Sequence, residues 1–435
     1  MLAHYSNDTL RIVYFSTLSG DVLIITLSVM DSGRVSPYAK PMSRASFLGN
    51  ALSSIPSLPW SAIRGSFTKM RASRDAVVIG TGFGGLAAAI RLSARGYRVR
   101  IVEKLDAPGG RAYVYRQAGH TFDGGPTVIT APFLFEDLWQ LCGKRLADDV
   151  DLRRVDPFYR IRFDHGDAFH YNGDTNQMIE EVRRFSPQDV EGYQAFLRFS
   201  EQIFNVGFSK LAHKSFGHWW DMAKIVPQMV RLRSHQTVYQ LVSSFIKDER
   251  LRQVFSFHPL LVGGNPFTTT SIYTLIAHLE RKWGVWFPMG GTGSLVNGMV
   301  KLLADRGVEI EYNAGVEEIE TQHGQVQGVR ISDGRFIPAD IVVSNADSAS
   351  TYLNLVSATC RKKWTDRRIE RSDYSMSLFV WYFGTDKKYS DVDHHTILLG
   401  KRYKALLSDI FKRKQLADDF SLYLHRPTMT DPSLA

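Results

Sequence analysis

From residue 75 onward the chain alternates short apolar runs with stretches of helical period. Ala76-Val77-Val78-Ile79 is an unbroken apolar run bounded by a glycine turn, which predicts a short strand buried on both faces. The turn Gly80-Thr81-Gly82-Phe83-Gly84-Gly85 follows at once. Leu86, Ala89, Ile90 and Leu92 then recur near one helical face, and Gly96 stands where a helix stop is expected. Arg98 to Glu103 alternates polar and apolar positions, which predicts a second strand. Together these segments make a strand–turn–helix–strand unit of about 30 residues, the size of a mononucleotide-binding half. Residues 131–285 are mainly helical in period and dense in aromatics, as in "PFLFEDLWQLCG" and "DVEGYQAFLRFSEQIF". Strand-like pieces return at 307–320, 324–334 and 339–347. "SMSLFVWYFGT" and a basic, helical "GKRYKALLSDIFKRKQLADDF" complete the pattern.

The glycine spacing carries a chemical reason. Gly80 permits a tight turn, Gly82 lets backbone approach a pyrophosphate, and Gly85 allows close helix–strand packing. The helix N-terminus then offers free N–H groups and a positive dipole to phosphate. Glu103 lies 18 residues after Gly85, at the end of the second strand, where its carboxylate can accept both ribose hydroxyls. Gly109-Gly110-Arg111 follows directly and suits a cofactor bound in an extended form: room for backbone approach and a fixed cation near phosphate. This favours FAD over NAD. Asp123-Gly124-Gly125-Pro126-Thr127 adds a second glycine pair where the ring system of such a cofactor would lie.

Composition adds four constraints. Cys142 and Cys360 are the only cysteines, which excludes a disulfide framework and a cysteine-rich metal cluster. The formal charge of +9 is diffuse; no basic tract is interleaved with aromatics, so nucleic acid is not an expected partner. No run of 18 apolar residues occurs that would span a bilayer as a helix. Residues 1–73 are rich in Ser and Arg, poor in acids and punctuated by Pro37, Pro41, Pro56 and Pro59. They read either as an organelle transit peptide or as an over-long start upstream of Met70, and in both cases as an extension outside the fold.

Longer stretches narrow the reading further. "GRAYVYRQAGHTFDGGPTVIT", "FSFHPLLVGGNPFTTTSIYTLIAHLERKWGVWFPMGGTGSLVNGMVKL" and "DDFSLYLHRPTMTDPSLA" closely resemble the bacterial, lycopene-forming type of phytoene desaturase, over about residues 74–435. The resemblance implies an α/β fold: a Rossmann-type FAD-binding domain of the amine-oxidase and phytoene-desaturase superfamily, a mixed-sheet substrate domain and a helical, membrane-facing subdomain. The expected division is an extension at 1–73, an FAD-binding unit at 74–130, a helical substrate and membrane-facing region at 131–285, a return to the FAD domain at 286–347, and an incomplete substrate domain at 348–435. It implies stepwise withdrawal of hydrogens from 15-cis-phytoene through phytofluene, ζ-carotene and neurosporene to all-trans-lycopene. By the same resemblance Gly80, Gly82, Gly84, Gly85, Glu103, Lys104, Gly110 and Arg111 hold the adenosine and pyrophosphate. Gly125 and Pro126 flank the isoalloxazine, Val316 meets the adenine through its backbone, and Asn345 in "SNAD" belongs to the strand-end turn beside the cofactor. The expected setting is cytoplasmic and peripheral to a membrane, or plastidic if residues 1–73 are a transit peptide, with the carotene, a lipid surface and other carotenoid enzymes as partners.

"FGHWWDMAKIVPQMVRLRS" combines Trp219 and Trp220 with His218, Lys224, Arg231 and Arg233, and suits either a lipid-surface helix or a packed helix with snorkelling cations. No metal-ligand spacing and no nucleophile–His–Asp arrangement stands out, so no metal is expected and no catalytic residue is assigned. His120, Asp123 and His258 fit hydrogen-bonded framework as well as proton transfer. The family places a glycine-rich turn near its C-terminus, whereas only Gly384 and Gly400 follow Gly334 here. The expectation is a chain cut short before its flavin site closes, with weaker flavin retention and reduced activity. Rival readings are a related carotenoid isomerase or partial desaturase, a non-catalytic flavin-binding fragment, and a plain NAD dehydrogenase.

Overall fold

The computed structural model describes residues 12–14, 74–208, 219–361, 363–376, 378–419 and 421–435. Its first layer is a five-stranded parallel sheet in the order Ile12–Tyr14, Ile341–Ser344, Asp75–Ile79, Arg98–Val102, Glu309–Glu311. The central strand is buried on both faces for a simple geometric reason. Side chains alternate across a strand, so Ala76 and Val78 join Leu86, Ile90, Ile101 and Trp139 on one side. Val77 and Ile79 join Val102, Val329 and Val342 on the other. An unbroken apolar run is what a strand covered on both faces requires.

Helix Phe83–Ala94 covers the first face beside helix Thr292–Ala304, through Leu295, Met299 and Leu302. The predicted face Leu86, Ala89, Ile90 and Leu92 is buried, and the chain leaves through Gly96 at φ +84°. The antiparallel sheet Val316–Gln322, Gln325–Ile331, Phe336–Pro338 covers the second face. Residues 12–14 pair with Ile341–Ser344 at the sheet edge, although the sequence places residues 1–73 outside the fold; the rest of that segment lies outside the described residues.

A second core surrounds a four-stranded sheet in the order Leu422–His425, His395–Leu399, Tyr159–Phe163, Ala168–Tyr171. This sheet draws strands from both 131–285 and 348–435. Its aromatic packing involves Tyr159, Phe169, Tyr171, Phe255 and Phe257. Three strands therefore lie inside the largely helical stretch 131–285, at Leu152–Arg154, Tyr159–Phe163 and Ala168–Tyr171. No helix among the described residues is long and apolar enough to cross a membrane.

Candidate functional site

The first strand delivers the glycine turn to the sheet's C-terminal edge. Gly80 sits at φ +93°, a conformation that favours glycine, and its N–H donates to the Val102 carbonyl at 2.8 Å. A side chain at Gly85 would collide with the Gly80 carbonyl oxygen, so close helix–strand contact explains that position. Gly82 and Gly84 have a second reason. Asn345, tied to Ile79 by an N–H···O bond of 2.8 Å, fills with its carboxamide the space that their Cβ atoms would take. Helix Phe83–Ala94 begins with no side-chain cap and no acid in its first turn. Its leading N–H groups are thus open to an anion.

The two glycine pairs extend the site by backbone-to-backbone packing. Gly109 donates to the Thr81 carbonyl at 3.1 Å, and a Cβ on Gly110 would stand 3.2 Å from Gly82 Cα. Arg111 is exposed in the next turn and ion-pairs with no described acid. Gly124 lies against the Tyr113 carbonyl and Gly125 against that of Arg111. Pro126 accepts a 2.7 Å hydrogen bond from Thr292 Oγ1. The turn, both glycine pairs and Arg111 consequently form one continuous strip.

Glu103 is buried beside this strip at 4% exposure. Its Oε2 accepts from the Thr81 N–H at 2.7 Å and the Thr81 hydroxyl at 2.6 Å, and its Oε1 accepts from the Leu105 N–H at 2.9 Å. A carboxylate has about four acceptor positions, so capacity for about one further donor remains, fewer than the two ribose hydroxyls expected from sequence. Lys104 is exposed. Val316 opens its strand immediately after Ala314 and Gly315; Ala314 donates to the Glu103 carbonyl at 2.8 Å, and Gly315 faces Lys104. Gly80, Gly82, Gly84, Gly85, Glu103, Lys104, Gly110, Arg111, Val316 and Asn345 are thus brought together, with Gly125 and Pro126 at the far end of the strip.

The three polar candidates have structural partners. Asp123 accepts from the Thr292 N–H at 2.9 Å and from its hydroxyl at 3.2 Å, which caps helix Thr292–Ala304. Burial pushes its carboxyl pKa up, opposed by the Thr292 hydrogen bonds. His258 Nε2 lies 2.9 Å from Glu280 Oε2, and the Tyr159 hydroxyl donates to Glu280 Oε1 at 2.6 Å, all in the aromatic core. His120 stacks on Phe122 and abuts Gly384. Tyr382 hydrogen-bonds the Gly124 carbonyl at 3.2 Å, while its neighbours Leu378, Phe379, Trp381 and Phe383 are exposed. On helix Trp219–Arg231, Trp220, Val226 and Val230 are exposed, and His218 lies outside the described residues.

Sequence reasoning missed two clusters. Glu280 was discoverable, because it sits four residues after Ile276 and three after Ala277 on a face that is otherwise apolar. A second cluster joins His394, His395 and His425 across paired strands, with three ring nitrogens mutually within 4.8 Å. Burial holds the His394 pKa down at about 4, helped by the charge of Arg426. Burial also lowers His395 and His425 well below the ordinary range, reinforced by the neighbouring imidazoles.

The pattern of flavin-containing amine oxidoreductases matches residues 83–425. The lycopene-forming phytoene desaturase of Pseudescherichia vulneris is 52% identical over 362 residues, 83% of this chain and 74% of that protein. The lycopene-forming enzyme of Pantoea ananas is 48% identical, over the same shares. A neurosporene-forming phytoene desaturase from Cereibacter sphaeroides is 45% identical, over 83% of this chain and 70% of that protein. The chain belongs to the flavin-containing amine oxidoreductase family, and within it to the phytoene desaturases.

Proposed function

We propose that this chain is an FAD-dependent phytoene desaturase that forms lycopene. The observation that carries the reading is identity of 48–52% to two lycopene-forming desaturases over 83% of the chain. The glycine strip and Glu103 fit a dinucleotide, because an uncapped helix N-terminus and a buried carboxylate with spare acceptor capacity adjoin backbone from which side chains are excluded. The turn at Gly80–Gly85 receives the pyrophosphate, Glu103 takes a ribose hydroxyl, and Arg111 supplies positive charge along the strip. Gly125 and Pro126 lie where the ring would be flanked. When bound, the flavin supplies an acceptor for the hydrogens removed from carbon–carbon single bonds.

Phytoene carries no polar handle, so its recognition rests on apolar shape and on removal of water. Delivery from lipid suits such a substrate, and exposed Trp220, Val226 and Val230 beside Lys224 and Arg231 give a surface compatible with a bilayer interface. Each desaturation removes one hydride and one proton and forms one C=C bond. The neurosporene-forming relative at 45% identity favours one alternative within the same chemistry, a product with fewer double bonds. Expression in bacteria that accumulate phytoene tests both. The expected pigment is lycopene; neurosporene as end product would establish the alternative, and unchanged phytoene alongside soluble flavin-bound protein would refute both.

A further inference from the structure

The histidine cluster borders the far end of the glycine strip, where the Tyr423 hydroxyl that holds His395 also bonds the Thr127 hydroxyl at 2.7 Å, and the proposed reaction does not use it. His394 and His395 stand at the start of strand His395–Leu399, and His425 ends its antiparallel partner, directly opposite His395. His394 and His395 are buried and His425 is half-buried. His394 Nδ1 is held by the Thr430 hydroxyl at 2.6 Å, and His395 Nδ1 by the Tyr423 hydroxyl at 2.7 Å. Those bonds leave the Nε2 atoms of both rings for another partner. His394 Nε2 lies 3.2 Å from His425 Nε2, while His395 Nε2 is buried without a hydrogen bond.

We propose that His394, His395 and His425 form a binding site for one divalent first-row transition ion, with Zn2+ as the best-suited occupant. Two nitrogens bound to one tetrahedral zinc at 2.0–2.1 Å are separated by about 3.3 Å, close to the 3.2 Å between His394 and His425. Small movements of the His395 ring would bring the third nitrogen to the same centre. An all-imidazole donor set selects Zn2+, Co2+, Ni2+ or Cu2+ over hard Mg2+ and Ca2+, which prefer oxygen ligands. The Thr430 and Tyr423 hydroxyls fix the rings from behind, as outer partners of metal-bound histidines commonly do. Arg426 opposes a cation here, so the imidazole nitrogens must supply the affinity. The ion would clip strand Leu422–His425 to strand His395–Leu399, and three protein ligands leave a fourth position for water.

The test is a Co2+ titration of the metal-stripped, FAD-loaded chain, followed by displacement with Zn2+. One equivalent should bind with the visible absorption of four-coordinate Co2+, and Zn2+ should raise the melting temperature. His395→Asn and His425→Asn should each weaken binding at least 100-fold without altering the flavin spectrum. Thr430→Val, which retains all three ligands, should weaken it about 10–100-fold and decides the matter if the histidine variants fail to fold. His165→Asn/His170→Asn, at exposed histidines, should change nothing. Absence of a one-equivalent site, undiminished affinity of that site in His395→Asn and Thr430→Val, or its loss in the exposed double variant would each overturn the proposal.

Discussion

Glu103 and Glu280 are both buried carboxylates, yet they are held in opposite ways. Glu103 is satisfied by Thr81 in the turn and by Leu105 two residues on, and it keeps an acceptor position unused. Glu280 is held by the Tyr159 hydroxyl, 121 residues away, and by the His258 ring, with no exposure at all. A binding site needs a charge with spare capacity at an edge. A core charge needs partners that close around it, because an unpaired buried ion is costly. The contrast predicts that the first region fails in ligand retention and the second in folding.

The largest effect should come from Glu280→Leu, which leaves both His258 and the Tyr159 hydroxyl without that partner in the core; about 1–3 kcal/mol of stability should be lost for each, read by urea unfolding. Glu103→Gln should invert that result. Its carbonyl oxygen can still accept both Thr81 donors, but its NH2 then faces the Leu105 N–H, so a loss of about 1–3 kcal/mol is expected, together with at least a tenfold weaker flavin affinity by fluorescence titration. A folded Glu280→Leu protein of unchanged stability, or a Glu103→Gln protein with full flavin affinity, would break the comparison.

Gly85→Ala sharpens the same contrast from the backbone side. The added methyl meets the Gly80 carbonyl, so the turn must shift at a cost of about 1–3 kcal/mol, and bound flavin should fall in the purified protein. Asp123→Ala should cost about 1 kcal/mol by uncapping helix Thr292–Ala304, measured by thermal melting. The smallest effect concerns pH. Burial lowers the His278 pKa from its ordinary value, so the folded ring resists a proton that the unfolded chain accepts near pH 6.5. That stability is present above pH 6.5 and declines as pH falls below it. Its own share of the slope should stay under about 1.4 kcal/mol per pH unit, reduced further because the ring is partly solvated, and His278→Gln should remove that share while the slope from His394, His395 and His425 remains.

Legibility in the sequence followed the span of each interaction. Strand Asp75–Ile79, helix Phe83–Ala94 and strand Arg98–Val102 were readable because apolar period and glycine spacing act within a few residues. The strip from Gly80 to Pro126 was readable as a set of positions, but its internal reason was hidden. Asn345 demands Gly82 and Gly84 from the end of the adjacent parallel strand Ile341–Ser344, which is remote in sequence, a contact that spacing cannot reveal. Strands Tyr159–Phe163 and Ala168–Tyr171 were absorbed into a helical reading because aromatic density gives little period of its own. The histidine cluster was invisible because its members meet only after strands 395–399 and 422–425 pair, whereas Glu280 stood out as an acid on an otherwise apolar helix face.

Product analysis with purified protein decides whether the chain desaturates phytoene with FAD. Liposomes containing 15-cis-phytoene are incubated with the chain in the presence of FAD, FMN or NAD, and the C40 products are separated and identified by absorption. Lycopene is expected with FAD, and unconverted phytoene with FMN or NAD alone. Conversion with NAD alone, or unconverted phytoene from protein that demonstrably holds FAD, would contradict that expectation.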